Sequence, residues 1–87
     1  MNDVPSQPML SKLFRLQWEE AQQRYVLLYP EGMVKLNLSA AEILKRCNGE
    51  RDAAAIARDI EATFALNGLA GDVRDFLEVA NERGWIH

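Results

Sequence analysis

The sequence has almost none of the residues from which small proteins build covalent or metal-held frameworks. A single cysteine, Cys47, excludes an internal disulfide and any multi-cysteine metal site. The lone histidine, His87, is the last residue, where an exposed terminal side chain outweighs a ligand or general base. No apolar run approaches the roughly 20 residues a membrane-spanning helix needs, and no basic stretch leads into an apolar one near the start. The chain is therefore expected to be soluble and cytoplasmic, with no membrane contact. Basic charge is scarce too: 10 Lys and Arg against 13 Asp and Glu give a net charge of -3, which offers no general attraction to nucleic acid. Gly68 and Gly71 lack the lysine and serine or threonine that a phosphate loop uses. Glu19, Glu20, Glu31, Glu42 and Asp72 stand in no nucleophile or metal spacing, so neither an enzyme nor a bound cofactor is expected.

What is present is a hydrophobic fraction of 48% in 87 residues, enough for one modest core. Residues 1–12, with Pro5, Ser6, Gln7 and Pro8, read as a flexible arm, leaving 13–87 as a single domain. Leu13 to Glu19 alternates Phe14, Leu16 and Trp18 with Arg15, Gln17 and Glu19, a first strand. After a turn at Glu20 to Gln23, the aromatic and branched run Arg24 to Tyr29 suits a central strand. Pro30 and Gly32 fit the second and last positions of a tight turn, and Met33 to Leu38 alternates again as a third, edge strand.

Helical spacing follows. Ser39 with Glu42 forms a capping-box pattern, which predicts a first helix from Ser39 to about Asn48 ended by Gly49, with Cys47 facing the core as an inert small hydrophobe. Asp52 can cap a second helix to about Ala65, whose buried stripe is Ile56, Ala57, Ile60 and Phe64. A third begins at Asp72, buries Val73, Phe76, Leu77 and Ala80, and stops before Gly84, with Trp85 folding back on Ala80. The fold class is α+β, a three-stranded antiparallel sheet followed by a three-helix bundle in the order βββααα.

Such a fold offers a strand edge to which a peptide can add, or, as an alternative, a winged helix that reads DNA. The last helix carries Asp72, Asp75, Glu78 and Glu82 against Arg74 and Arg83, a poor match to a phosphate backbone. The exposed edge and the arm also leave self-association as a homodimer open.

The run Leu28-Tyr29-Pro30-Glu31-Gly32, then Leu36-Asn37, Ala41-Glu42-Ile43-Leu44, Gly49 and the terminal Gly84-Trp85-Ile86 closely resembles the PqqD family of pyrroloquinoline quinone biosynthesis. The resemblance covers about Phe14 to Ile86. It implies a winged-helix-like peptide chaperone, a recognition element for ribosomally made, post-translationally modified peptides. Such a chaperone binds the precursor PqqA and presents it to the radical S-adenosylmethionine enzyme PqqE, doing no chemistry itself. It also implies a groove between the third strand and the third helix, built here by Met33, Val34, Lys35 and Leu36 and by the face of Asp72 to Asn81. Backbone groups of Val34 and Leu36, or of Met33 and Lys35 if the register shifts by one, would pair with the peptide, while Val73, Arg74 and Leu77 would meet its side chains. A docking scaffold for PqqE, with the peptide gripped chiefly by the enzyme, is the second reading.

Overall fold

The hairpin at Pro30 is the corner from which the fold is built. The computed structural model describes residues 3–87. Three strands, β1 (Arg15–Glu19), β2 (Arg24–Tyr29) and β3 (Gly32–Lys35), precede three helices, α1 (Leu38–Lys45), α2 (Ala53–Phe64) and α3 (Ala70–Glu82). The sheet is an antiparallel meander with β2 in the centre, the arrangement predicted by the apolar run of the second strand and the alternation of the other two. Pairing of Tyr29 with Gly32 leaves Pro30 and Glu31 as the two turn residues.

Alternation along the strands gives the sheet two faces. Leu16, Leu27 and Val34 stand in one cross-strand row on the face that packs against the helices. The neighbouring row, Gln17, Val26 and Lys35, lies on the opposite face, where the aliphatic stems of Gln17 and Lys35 flank a fully buried Val26. Leu27, Ile56, Val73 and Leu77 are the largest fully buried side chains of the main core, each contributing roughly 1.5–3 kcal/mol by leaving water.

Helix starts and stops explain most departures from the sequence reading. α1 is capped by Asn37, whose Oδ1 accepts from the Ala40 N–H at 2.8 Å, and not by Ser39. Asn caps as well as Ser does, and the strand ladder ends at Leu36, so the first competent residue takes the role. Glu42, which a capping box at Ser39 would need, instead bonds Lys45 and Arg46. Leu38 becomes the first helical residue and is exposed, so β3 ends at Lys35 and does not reach it. α1 also stops at Lys45, and Gly49 serves a different purpose: in the left-handed region at φ 83°, it donates its N–H to the Pro8 carbonyl. β1 begins at Arg15, two residues later than its pattern suggests, and α3 begins at Ala70, two residues before Asp72. α2 is capped by Asp52 as expected, but Phe64 on its last turn is exposed and not part of the core stripe.

The C-terminus behaves as the sequence indicates. Gly84, at φ 74°, donates to the Asn81 carbonyl and Trp85 to that of Ala80, a double closure of α3 that turns the buried Trp85 back toward Phe76.

The segment read as a flexible arm is packed over part of its length. Pro8 is buried, Met9 and His87 exchange backbone hydrogen bonds at 2.9 and 2.8 Å, and the Leu10 and Ser11 N–H groups donate to the Cys47 and Trp85 carbonyls. Backbone pairing across the whole chain length needs no side-chain periodicity, which is why the pattern there is silent. Met1 and Asn2, also part of that arm, lie outside the described residues.

Cys47 faces the core beside the Ile43 carbonyl, 3.3 Å from its Sγ, and burial pushes its thiol up to about 12. It is expected to resist alkylation by iodoacetamide at pH 8 in the native protein and to react at once in denaturant. Rapid native labelling would show that α1 opens far more readily than this packing implies.

Candidate functional site

The open edge of β3 is the most distinctive feature of the surface. In an antiparallel pair, residues alternate between pointing both backbone groups at the partner strand and pointing both away. The Leu36 N–H donates to the Tyr25 carbonyl at 3.1 Å, and the constant register places Val34 opposite Leu27 in the same class as Leu36. Val34 and Leu36 therefore spend their backbone groups on β2. Arg24 adds to this by donating from Nε and Nη2 to the Leu36 carbonyl at 3.3 and 3.0 Å. Met33 and Lys35 point their N–H and C=O groups away from the sheet. Of the two registers considered from sequence, only the one using Met33 and Lys35 leaves ladder groups free for an added strand.

Two residues beyond the end of this ladder lies an apolar groove of about 290 Å³ between the start of α1, the end of α2 and the start of α3. Its walls are Leu38, Ile43, Ile60, Phe64, Leu66, Leu69 and Val73, with Ser39, Glu42 and Asp72 supplying the polar atoms. Leu38 is 67% exposed, Leu66 52% and Phe64 42%, an unusual concentration of apolar surface for so small a domain. Ala65, in the left-handed conformation at φ 55°, ends α2, and the Leu66 N–H returns to the Glu61 carbonyl, which sets Leu66 on the groove wall. Glu61 Oε2 also accepts the Leu69 N–H at 2.8 Å, tying the loop to α2.

The expected side-chain contacts divide. Met33 and Lys35 are exposed, Val34 is half-buried and Leu36 is buried. Val73 is buried but forms part of the groove. Leu77 is fully buried in the core and presents nothing to a ligand, because α3 uses it to hold the helix against the body. Arg74 is on the surface of α3 and does not line the groove. Sequence reasoning missed Leu38, Phe64, Leu66 and Leu69. A signal existed: two leucines flanking Asn67-Gly68 in a loop that no helix period explains.

The groove is braced by one charged cluster. Arg46 donates to the Glu42 carbonyl and Oε1, both at 2.8 Å, and to Asp59 of α2, joining the two helices that form its walls. Lys45 Nζ reaches Glu42 Oε2 at 3.0 Å and lies 4.3 Å from the Tyr25 ring centroid. Burial pushes the Glu42 carboxyl up, but the hydrogen bonds from Arg46 and Lys45 outweigh it and hold the group below its ordinary value. The Arg46 hydrogen bond likewise holds Asp59 down. Among the described residues no group of three His, Cys, Asp or Glu side chains is placed to hold a metal, and no helix is long and apolar enough to cross a membrane.

Comparison with known proteins points the same way. The family model for coenzyme PQQ synthesis protein D (PqqD) matches residues 24–86. A protein of Azotobacter vinelandii named PqqA binding protein is 53% identical over 87 residues, covering 99% of this chain and 91% of that protein. One of the same name from Methylococcus capsulatus is 52% identical over 77 residues, 88% of this chain and 83% of that protein. The solution structure of the PqqD truncation of Methylobacterium extorquens PqqCD, described as a functional and stand-alone recognition element for ribosomally synthesized and post-translationally modified peptides, superposes with a TM-score of 0.69 at 26% identity, covering 92% of this chain and 87% of that one. With the family model spanning most of the chain and relatives above 50% identical along nearly all of it, the chain belongs to the PqqD family.

Proposed function

We infer that this chain is a peptide chaperone of pyrroloquinoline quinone biosynthesis that binds the precursor peptide PqqA and presents it to the radical S-adenosylmethionine enzyme PqqE, itself carrying out no reaction. The observation that carries the reading is the open β3 edge, with the outward backbone groups of Met33 and Lys35, set next to an exposed apolar groove. The names and likenesses of the relatives supply the peptide. Main-chain hydrogen bonds along β3 give affinity for an extended segment, and the groove accepts its apolar side chains. Leu38, Phe64 and Leu66 remain solvated until the peptide covers them, so binding gains apolar burial at that moment.

Titration calorimetry with PqqA tests this. Leu66→Asp, at an exposed position that the core does not need, is expected to weaken binding at least tenfold, to order of magnitude, by setting a carboxylate in the groove. Undiminished affinity in Leu66→Asp removes the groove from the site, and no binding by the unaltered chain removes PqqA as its ligand.

A further inference from the structure

We propose that the β3 edge reads a three-residue pattern in its peptide, two apolar residues and one acidic residue at the end of the triplet, through the side-chain rows of the sheet. The inference rests on the peptide-binding reading above. A strand added beside β3 continues each existing row by one residue, because directly opposed side chains share a face. Three rows meet the edge at Met33, Val34 and Lys35, and each row sets the kind of side chain that suits the position beside it.

The peptide residue opposite Met33 joins Arg15, Leu28 and Met33 on the face away from the helices. Met33 is 44% exposed there and Leu28 half-buried, so an apolar side chain covers both. The residue opposite Val34 joins Leu16, Leu27 and Val34 on the helical face, where the row is apolar throughout and Val34 is still half-buried. The residue opposite Lys35 joins Gln17, Val26 and Lys35. Val26 is already covered, so this row has no apolar surface left to offer at its rim, and the Lys35 ammonium has no carboxylate partner among the described residues. Arg24, on the same face, is fixed on the Leu36 carbonyl and adds a second positive charge at that end of the edge. Glu19, the acid of this face, lies across from Arg24 on the far strand and accepts the Ala21 N–H. The last position therefore favours a carboxylate. Read from its own N-terminus, the peptide is acidic–apolar–apolar if it runs antiparallel to β3 and apolar–apolar–acidic if it runs parallel.

The test is a series of PqqA peptides in which each Asp is changed to Asn and each Glu to Gln, one at a time. Each is titrated against the unaltered chain and against Lys35→Ala. One substitution is expected to weaken binding to the unaltered chain roughly three- to tenfold and to have no further effect in Lys35→Ala, while all others act equally on both proteins. The coupled carboxylate is expected to have two consecutive apolar residues on one side. Equal effects at every position in both proteins, a loss that follows total peptide charge alone, or a coupled carboxylate without that apolar pair would each overturn the proposal. If PqqA does not bind the unaltered chain, the peptide-binding reading fails and the pattern fails with it. That outcome is distinct from binding that lacks coupling.

Discussion

Lys35→Pro is expected to weaken PqqA binding roughly 30- to 100-fold while the domain stays folded. The change removes the Lys35 N–H and puts a pyrrolidine ring where the added strand must approach. The sheet itself loses no bond, because Lys35 lies between Val34 and Leu36, whose groups are the ones committed to β2. Proline is tolerated on an edge strand whose N–H faces solvent, and Val34 before it is already extended. Val34→Pro makes the useful contrast: it strikes a ladder donor within the protein and should unfold the sheet whether or not a peptide binds there. Lys35→Ala separates the donor from the charge, since it keeps the N–H and loses only the ammonium. Binding by Lys35→Pro within threefold of the unaltered chain, with its thermal unfolding unchanged, would move the peptide away from this edge.

Arg46→Ala is expected to cost about 3 kcal/mol of stability, lowering the melting temperature by roughly 10–20 °C. Arg46 closes α1 onto α2 through Asp59 and satisfies Glu42, which is almost fully buried; without it Glu42 keeps only Lys45. Adding Glu42→Ala to the variant should recover part of the loss, since the cost lies in a buried carboxylate left half-paired. The cluster also sets the response to acid. Glu42 and Asp59 are both held below their ordinary values, so their contribution is complete at neutral pH. It begins to fall as the pH drops into the ordinary carboxylate range and is lost as the pH passes below the lowered folded values. Glu42→Gln should make the acid limb of the stability curve shallower. A cost below about 1 kcal/mol for Arg46→Ala would place the brace of the groove elsewhere.

Much of this molecule was legible in its residues because the signals are local. The aromatic and branched run of β2, the Pro30 turn, the Asp52 cap and the Gly84 stop each depend on neighbours within a few positions, and each appears in the structure where the sequence placed it. Ser39 against Asn37 was a contest between two competent caps, decided by where the ladder to β2 ends, and that is a tertiary fact. The pairing of residues 8–11 with the C-terminal tail is backbone to backbone and leaves no mark on side-chain pattern. Leu77 and Phe64 show the limit of periodicity: both fall on an apolar stripe, yet one is fully buried and the other forms an open wall, because a stripe does not say which part of it a neighbouring helix covers. The choice between Val34 with Leu36 and Met33 with Lys35 is likewise invisible in sequence, since a strand presents both sets equally until one hydrogen bond fixes the phase.

Backbone amide hydrogen exchange of Met33 and Lys35, followed by NMR with and without saturating PqqA, tests the central claim most directly. In the free protein both amides are expected to exchange quickly and Val34 slowly; with PqqA bound, Met33 and Lys35 should become strongly protected while Val34 changes little. Bound peptide that leaves the Met33 and Lys35 amides exchanging as fast as before would contradict strand addition at β3.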